Sequence, residues 1–101
     1  MRIHDLKCWP PEFRALKSGA KTHEVRVNDR DYSSGDVLNL KCWEPIHSAY
    51  SGDEVLALVT NVTKGGTFGL PENVCCMSVR VLHAMDDGKQ PYASVGDGGK
   101  P

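Results

Sequence analysis

Hydrophobic and polar positions alternate with period two over most of this chain, and one short stretch breaks to a helical spacing. From Ile3 to Trp9, Leu6 and Cys8 fall on one side and Asp5, Lys7 and Trp9 on the other, the pattern of a strand. Pro10 and Pro11 end it, and proline is well tolerated in the first turn of a helix. Over Pro11 to Ser18, Phe13 and Leu16 lie three apart, with Glu12 early and Lys17 late to complement the helix dipole. Gly19 then supplies a left-handed cap. A second strand is expected over Thr22 to Val27, with Thr22, Glu24 and Arg26 on one face and His23, Val25 and Val27 on the other.

Asn28 to Asp36 is a polar, turn-rich loop, and Val37 to Trp43 alternates again as a third strand. Glu44 to Asp53 holds Pro45 and Ser51-Gly52-Asp53 and reads as a hairpin connection. Glu54 to Thr63 is so rich in apolar and β-branched residues that burial on both faces is expected. The glycine-rich segment Lys64 to Asn73 carries Phe68 and Leu70, which should tuck the loop against the body. Val74 to Leu82 is the last strand, with Cys75, Met77, Val79 and Val81 opposed to Cys76, Ser78 and Arg80.

The order is β-α-β-β-β-β, which gives a mixed α/β, mainly β fold. Because strands and helices do not alternate, a mixed or antiparallel sheet is expected, rolled into a small barrel of about five strands with the early helix over one opening. Residues 86 to 101 (DDGKQPYASVGDGGKP) have no apolar run and read as a disordered tail, leaving one domain over residues 1 to 85.

Twelve basic and thirteen acidic side chains give a net charge of -1, which weighs against a protein that grips a long duplex through its phosphates. A local pocket for one nucleotide or a short single strand remains compatible with it. The four cysteines (Cys8, Cys42, Cys75 and Cys76) have no metal or redox spacing and read as small core residues. The histidines (His4, His23, His47 and His83) have no ligand spacing either, so neither a metal nor a cofactor is expected. No membrane span or signal segment is evident, and a cytoplasmic, monomeric protein is expected.

The chemistry concentrates in Gly19 to Arg26. Side chains two apart on a strand are about 7 Å apart, so Glu24 and Arg26 can address one ligand, with Lys21 nearby. Arginine offers a rigid fork, lysine a point charge and glutamate an acceptor for an amino group, a set suited to a nucleotide. The same spacing also suits a charged strand face closed by its own ion pairs. Further candidates are Asn28 and Arg30, which could read a base or phosphate, although Asp29 and Asp31 could equally hold that turn and pair with Arg30. Gly66 and Phe68 could form a lip or stacking platform, or simply a packed turn. Trp9 and Trp43 sit on outward strand faces, where they could stack on bases or pack beneath loops.

Gly19-x-Lys21-x-x-Glu24-x-Arg26 resembles the G-x-K-x-x-E-x-R signature of the ASCH domain, a relative of the PUA RNA-binding domains. Asn28 to Pro45 and Gly65 to Leu70 resemble an ASCH-like group frequent in phages and prophages, so the likeness runs from about Ile3 to Leu82. It implies a PUA-like β-barrel with a cleft beside the helix, lined by the signature residues, that receives RNA or a nucleotide; with the flanking candidates read above, the expected binding residues are Lys21, Thr22, Glu24, Arg26, Asn28, Arg30, Gly66 and Phe68. Some ASCH-like proteins remove acyl groups from the exocyclic nitrogen of cytidine using a lysine, a threonine and a later glutamate, and others are ribonucleases. Here Glu24 stands at the threonine's place, so that nucleophile is missing; Glu72 is the nearest counterpart of the later carboxylate. Lys21 and Glu24 are the candidate acid and base if the protein is an enzyme. A phage accessory protein that binds a host protein is a third class the same fold would serve.

Overall fold

All five expected strands enter one sheet of the computed structural model, which describes residues 1–85. The segment 86–101, read above as a tail, lies outside the described residues. The elements are β1 (Ile3–Cys8), α1 (Pro10–Ser18), β2 (His23–Val27), β3 (Val37–Glu44), β4 (Ala49–Thr63) and β5 (Val74–Met85). Their order in the sheet is β1-β3-β4-β5-β2. β1 runs parallel to β3, with Leu6 opposite Leu40, and every other pairing is antiparallel. The first two strands, separated only by α1, thus become the two outer edges of a curled half-barrel.

The alternation read from the sequence sets which face is inward. Leu6 and Cys8 of β1, Leu38, Leu40 and Cys42 of β3, Val55, Ala57 and Val59 of β4, and Cys75, Met77 and Val79 of β5 line the concave side. Phe13 and Leu16 of α1 close over them, joined by Tyr32 from the loop after β2. α1 begins one residue earlier than expected, because the missing N–H of Pro10 and Pro11 falls where a helix has no partner to offer. It ends at Gly19, whose φ of 85° lets its N–H donate to the carbonyl of Leu16 at 3.1 Å.

Several expectations need correction. The Glu44 to Asp53 connection is only a tight turn over Pro45 to Ser48, and β4 starts at Ala49. Ser51, Gly52 and Asp53 are a bulge within the strand: pairing steps from Lys41–Glu54 to Trp43–Tyr50, so three residues of β4 face Cys42 alone. Glu54 to Thr63 is not buried on both faces. Val55, Ala57 and Val59 are fully buried, while Leu56 and Leu58 between them are half-covered on the outer side. β5 continues three residues past Leu82 because β4 extends far enough to pair with it, Glu54 meeting Met85. Thr22 precedes β2, although its carbonyl accepts a hydrogen bond from Val79. In the β4–β5 loop Phe68 is 93% exposed and does not tuck in, since Gly66, Thr67 and Leu70 close the loop through their own hydrogen bonds.

Candidate functional site

β1 and β2 are not paired with each other. They flank an opening of the half-barrel, and side chains bridge it. Arg26 on β2 donates to the carbonyl of Lys7 at 2.7 Å, and Arg30, just beyond β2, donates to the carbonyl of Asp5 at 2.9 Å. Two arginines therefore stand where a closed barrel would have a backbone ladder.

Beside them lies a cleft of about 610 Å³. Leu6, Lys7, Cys8 and Trp9 form its β1 side; Glu24, Val25, Arg26 and Val27 form its β2 side. Glu12 and Lys21 border it at the helix, and Asp29, Arg30 and Tyr32 at the following loop. Lys7 lends the cleft its backbone while its ammonium lies over the Trp43 ring; of the other charged side chains, three cations (Lys21, Arg26 and Arg30) meet three carboxylates (Glu12, Glu24 and Asp29) across one ligand-sized space.

Glu24 is the hub. It faces the core side of β2, opposite Met77, and its side chain is only 5% exposed. Arg26 Nε donates to its Oε2 at 2.7 Å, with the arginine's terminal nitrogen at the same distance. Lys21 Nζ lies 3.6 Å from Glu24 Oε1 and 2.5 Å from Glu12 Oε1. Burial alone would lower the Lys21 pKa, but hydrogen bonding and attraction from Glu12 and Glu24 leave it raised. The hydrogen bond from Lys21 in turn lowers the Glu12 carboxyl below its ordinary value. The Cys8 thiol is pushed up to about 12, first by burial and then by the Glu24 carboxylate, which favours the neutral thiol near neutral pH. Burial also raises Tyr32.

The structure brings Lys21, Glu24, Arg26 and Arg30 together at this cleft and leaves Thr22, Asn28, Gly66 and Phe68 outside its lining. Asn28 instead accepts a hydrogen bond from the Tyr32 N–H at 3.0 Å and so fixes the loop. Gly66 and Phe68 are on the β4–β5 loop, where Glu72 packs beside Gly66. The turn after β2 is not held as expected by Asp29 and Asp31 pairing with Arg30, which reaches across to β1. Asn28 and the buried Asp36 hold it: Asp36 accepts from the N–H groups of Ser33 and Arg2, with His4 Nε2 at 3.0 Å. Leu6, Cys8, Trp9, Glu12 and Tyr32 join the cleft through the edge-to-edge arrangement, which periodicity along one segment does not reveal. The outwardness of Trp9 was the one available signal, and the residue remains 57% exposed.

Fold and site together define a small open half-barrel with a charge-balanced cleft between its edge strands. The chain belongs to the family described as Domain of unknown function (DUF3850), whose model matches residues 3–79 and therefore spans both cleft edges. It is also similar to an uncharacterized 12.9 kDa protein in the GpA 3' region of Escherichia phage P2, 36% identical over 62 residues. That match covers 61% of this chain and 55% of the phage protein. No helix among the described residues is long and apolar enough to cross a membrane.

Proposed function

We propose that this cleft is a binding site for a nucleotide, free or within RNA, in an ASCH-like module of the PUA-like kind. The observation that carries the reading is the convergence of Lys21, Glu24 and Arg26, the signature residues of the ASCH resemblance, with exposed Trp9 at one cleft. Glu12 and Glu24 offer acceptors to a base's amino groups, Lys21 offers a donor, and the Trp9 ring offers a stacking face. With the Lys7 ammonium turned to the Trp43 ring, the remaining cationic and acidic groups around the cleft balance, which implies that affinity comes from a few directed contacts and depends weakly on salt. The reading fits a monomer working in the cytoplasm without a cofactor.

Binding is favoured over catalysis by the lining itself. Its only hydroxyl is that of Tyr32, and its only thiol, Cys8, is too basic to ionise near neutral pH. Of the lysine, threonine and later glutamate an acyl-removing enzyme would require, only Lys21 is at the cleft; Thr22 and Glu72 are not in its lining.

The test is nucleotide and short-RNA affinity of Lys21→Gln and Trp9→Ala, both at partly accessible positions. Each is expected to weaken binding about tenfold with the fold retained, the scale of one directed hydrogen bond or one stacked base. Unchanged affinity in both variants contradicts the assignment. Turnover of a modified nucleoside that disappears in Lys21→Gln would replace binding by catalysis, and capture of a host protein insensitive to both variants would replace the nucleotide by a protein partner.

A further inference from the structure

Each cation whose side chain borders the cleft, Lys7 apart, is committed to the protein. Lys21 is held by Glu12 and Glu24, Arg26 by Glu24 and the Lys7 carbonyl, and Arg30 by the Asp5 carbonyl. The situation differs on the outer face of the sheet, reached by stepping over β1. Lys7 Nζ lies 3.9 Å above the Trp43 ring, Trp43 meets Tyr50 edge-to-face at 4.9 Å, and Lys41 Nζ lies 5.3 Å from the Tyr50 ring. Neither ammonium has a carboxylate within ion-pair distance among the described residues, although Glu54 is the ladder partner of Lys41.

The cluster is continuous with the cleft. Lys7 gives its carbonyl to the cleft and its side chain to the platform, and Trp9 follows two residues later on the same side of an extended backbone. Lys7 is directly opposite Lys41 in the β1–β3 ladder, and Trp43 opposite Tyr50 in the β3–β4 ladder, so the side chains form one cross-strand surface.

We propose that the ligand is one unit of a single-stranded RNA, whose neighbouring units leave the cleft over Trp9 and run across Lys7, Trp43, Lys41 and Tyr50. This rests on reading the cleft as a nucleotide site, and it chooses polymer over free nucleotide. Charge complementarity carries the choice. An ammonium held only by a ring face is free to turn to a phosphate, and the ring it leaves then offers a stacking face to a base of any sequence. The cleft supplies directed contacts to one unit; the platform supplies the phosphate-seeking charge that the cleft has spent.

The test uses the full chain with Trp9→Phe, which leaves Trp43 as its only tryptophan. Its fluorescence is followed with cytidine monophosphate, whose base carries the amino group the cleft carboxylates would accept from, and with an oligocytidylate of about eight nucleotides, within the site sizes of small single-strand binders. The oligomer is expected to shift Trp43 emission and bind at least about tenfold tighter than the monophosphate. In the Trp9→Phe background, Lys41→Gln should weaken the oligomer and lower its salt slope by about 0.7, leaving the monophosphate unaffected. Equal affinity for the two ligands, or an oligomer indifferent to Lys41→Gln and Tyr50→Leu, overturns the platform. If the oligomer responds to those variants but not to Lys21→Gln, the platform stands and the cleft reading falls. If the folded native chain, with Trp9 in place, binds neither ligand, both fall.

Discussion

Glu24 and Arg26 show what spacing along one strand reveals and what it conceals. Period two places them on the same face, and that much was legible. Their commitment to one another was open, because a bare strand cannot say whether its charges face solvent, a ligand or a neighbouring edge. With Glu24 buried, removing Arg26 leaves the Glu24 carboxylate in a poor solvent with only Lys21 Nζ, 3.6 Å away. Arg26→Ala should therefore destabilise the fold by about 3 kcal/mol or more in chemical denaturation, and Glu24→Gln with Arg26→Gln should recover much of that loss. Any binding defect of Arg26→Ala alone is thus partly a folding defect. Asp36 makes the second prediction at this scale. Burial opposes its ionisation, yet donors from His4, Ser33 and Arg2 hold its carboxyl at about 2 against an ordinary value of 3.8. The stabilisation is complete above the ordinary value and is lost as pH falls toward 2. It amounts to roughly 2 kcal/mol, so the stability gap between the native chain and Asp36→Asn should close by that much on acidification from pH ~6.

Among the elements, α1 was legible nearly to the residue, because prolines, a hydrophobic spacing and a glycine cap all point the same way. The cap gives a direct check. Gly19 has φ 85° with open space around its Cβ position, so Gly19→Ala is penalised by backbone conformation alone. A loss of about 1 kcal/mol in thermal or urea unfolding is expected, with the helix otherwise intact. β4 was less legible. Ser51-Gly52-Asp53 carries turn chemistry, and Gly52 does adopt a left-handed φ of 98°, but the residues serve a bulge within a strand that already has its partner. Local sequence specifies the kink and tertiary pairing decides that the strand continues through it. Phe68 followed the same logic in reverse: an apolar residue in a loop already closed by its own hydrogen bonds gains no pocket, and stays exposed.

For the molecule as a whole, the mainly β class and the early helix came from element order, and the cleft came from topology. Placing β1 and β2 at opposite ends of the sheet and curling it brings Cys8, Trp9 and Tyr32 to Lys21, Glu24 and Arg26. No pattern within a single segment could bring them there, since parallel pairing of β1 with β3 requires the long crossover through α1 and β2. The family match over residues 3–79 includes both edges of the opening, so the cleft is contained in the family's domain. The most direct test of its use is an amide NMR titration of the labelled chain with short RNA and with cytidine nucleotides. Binding in the cleft predicts shifts concentrated at Lys7 to Trp9, Lys21 to Arg26 and Asp29 to Tyr32, on both edges at once. Shifts confined to the β4–β5 loop, or none with any nucleotide, would contradict it.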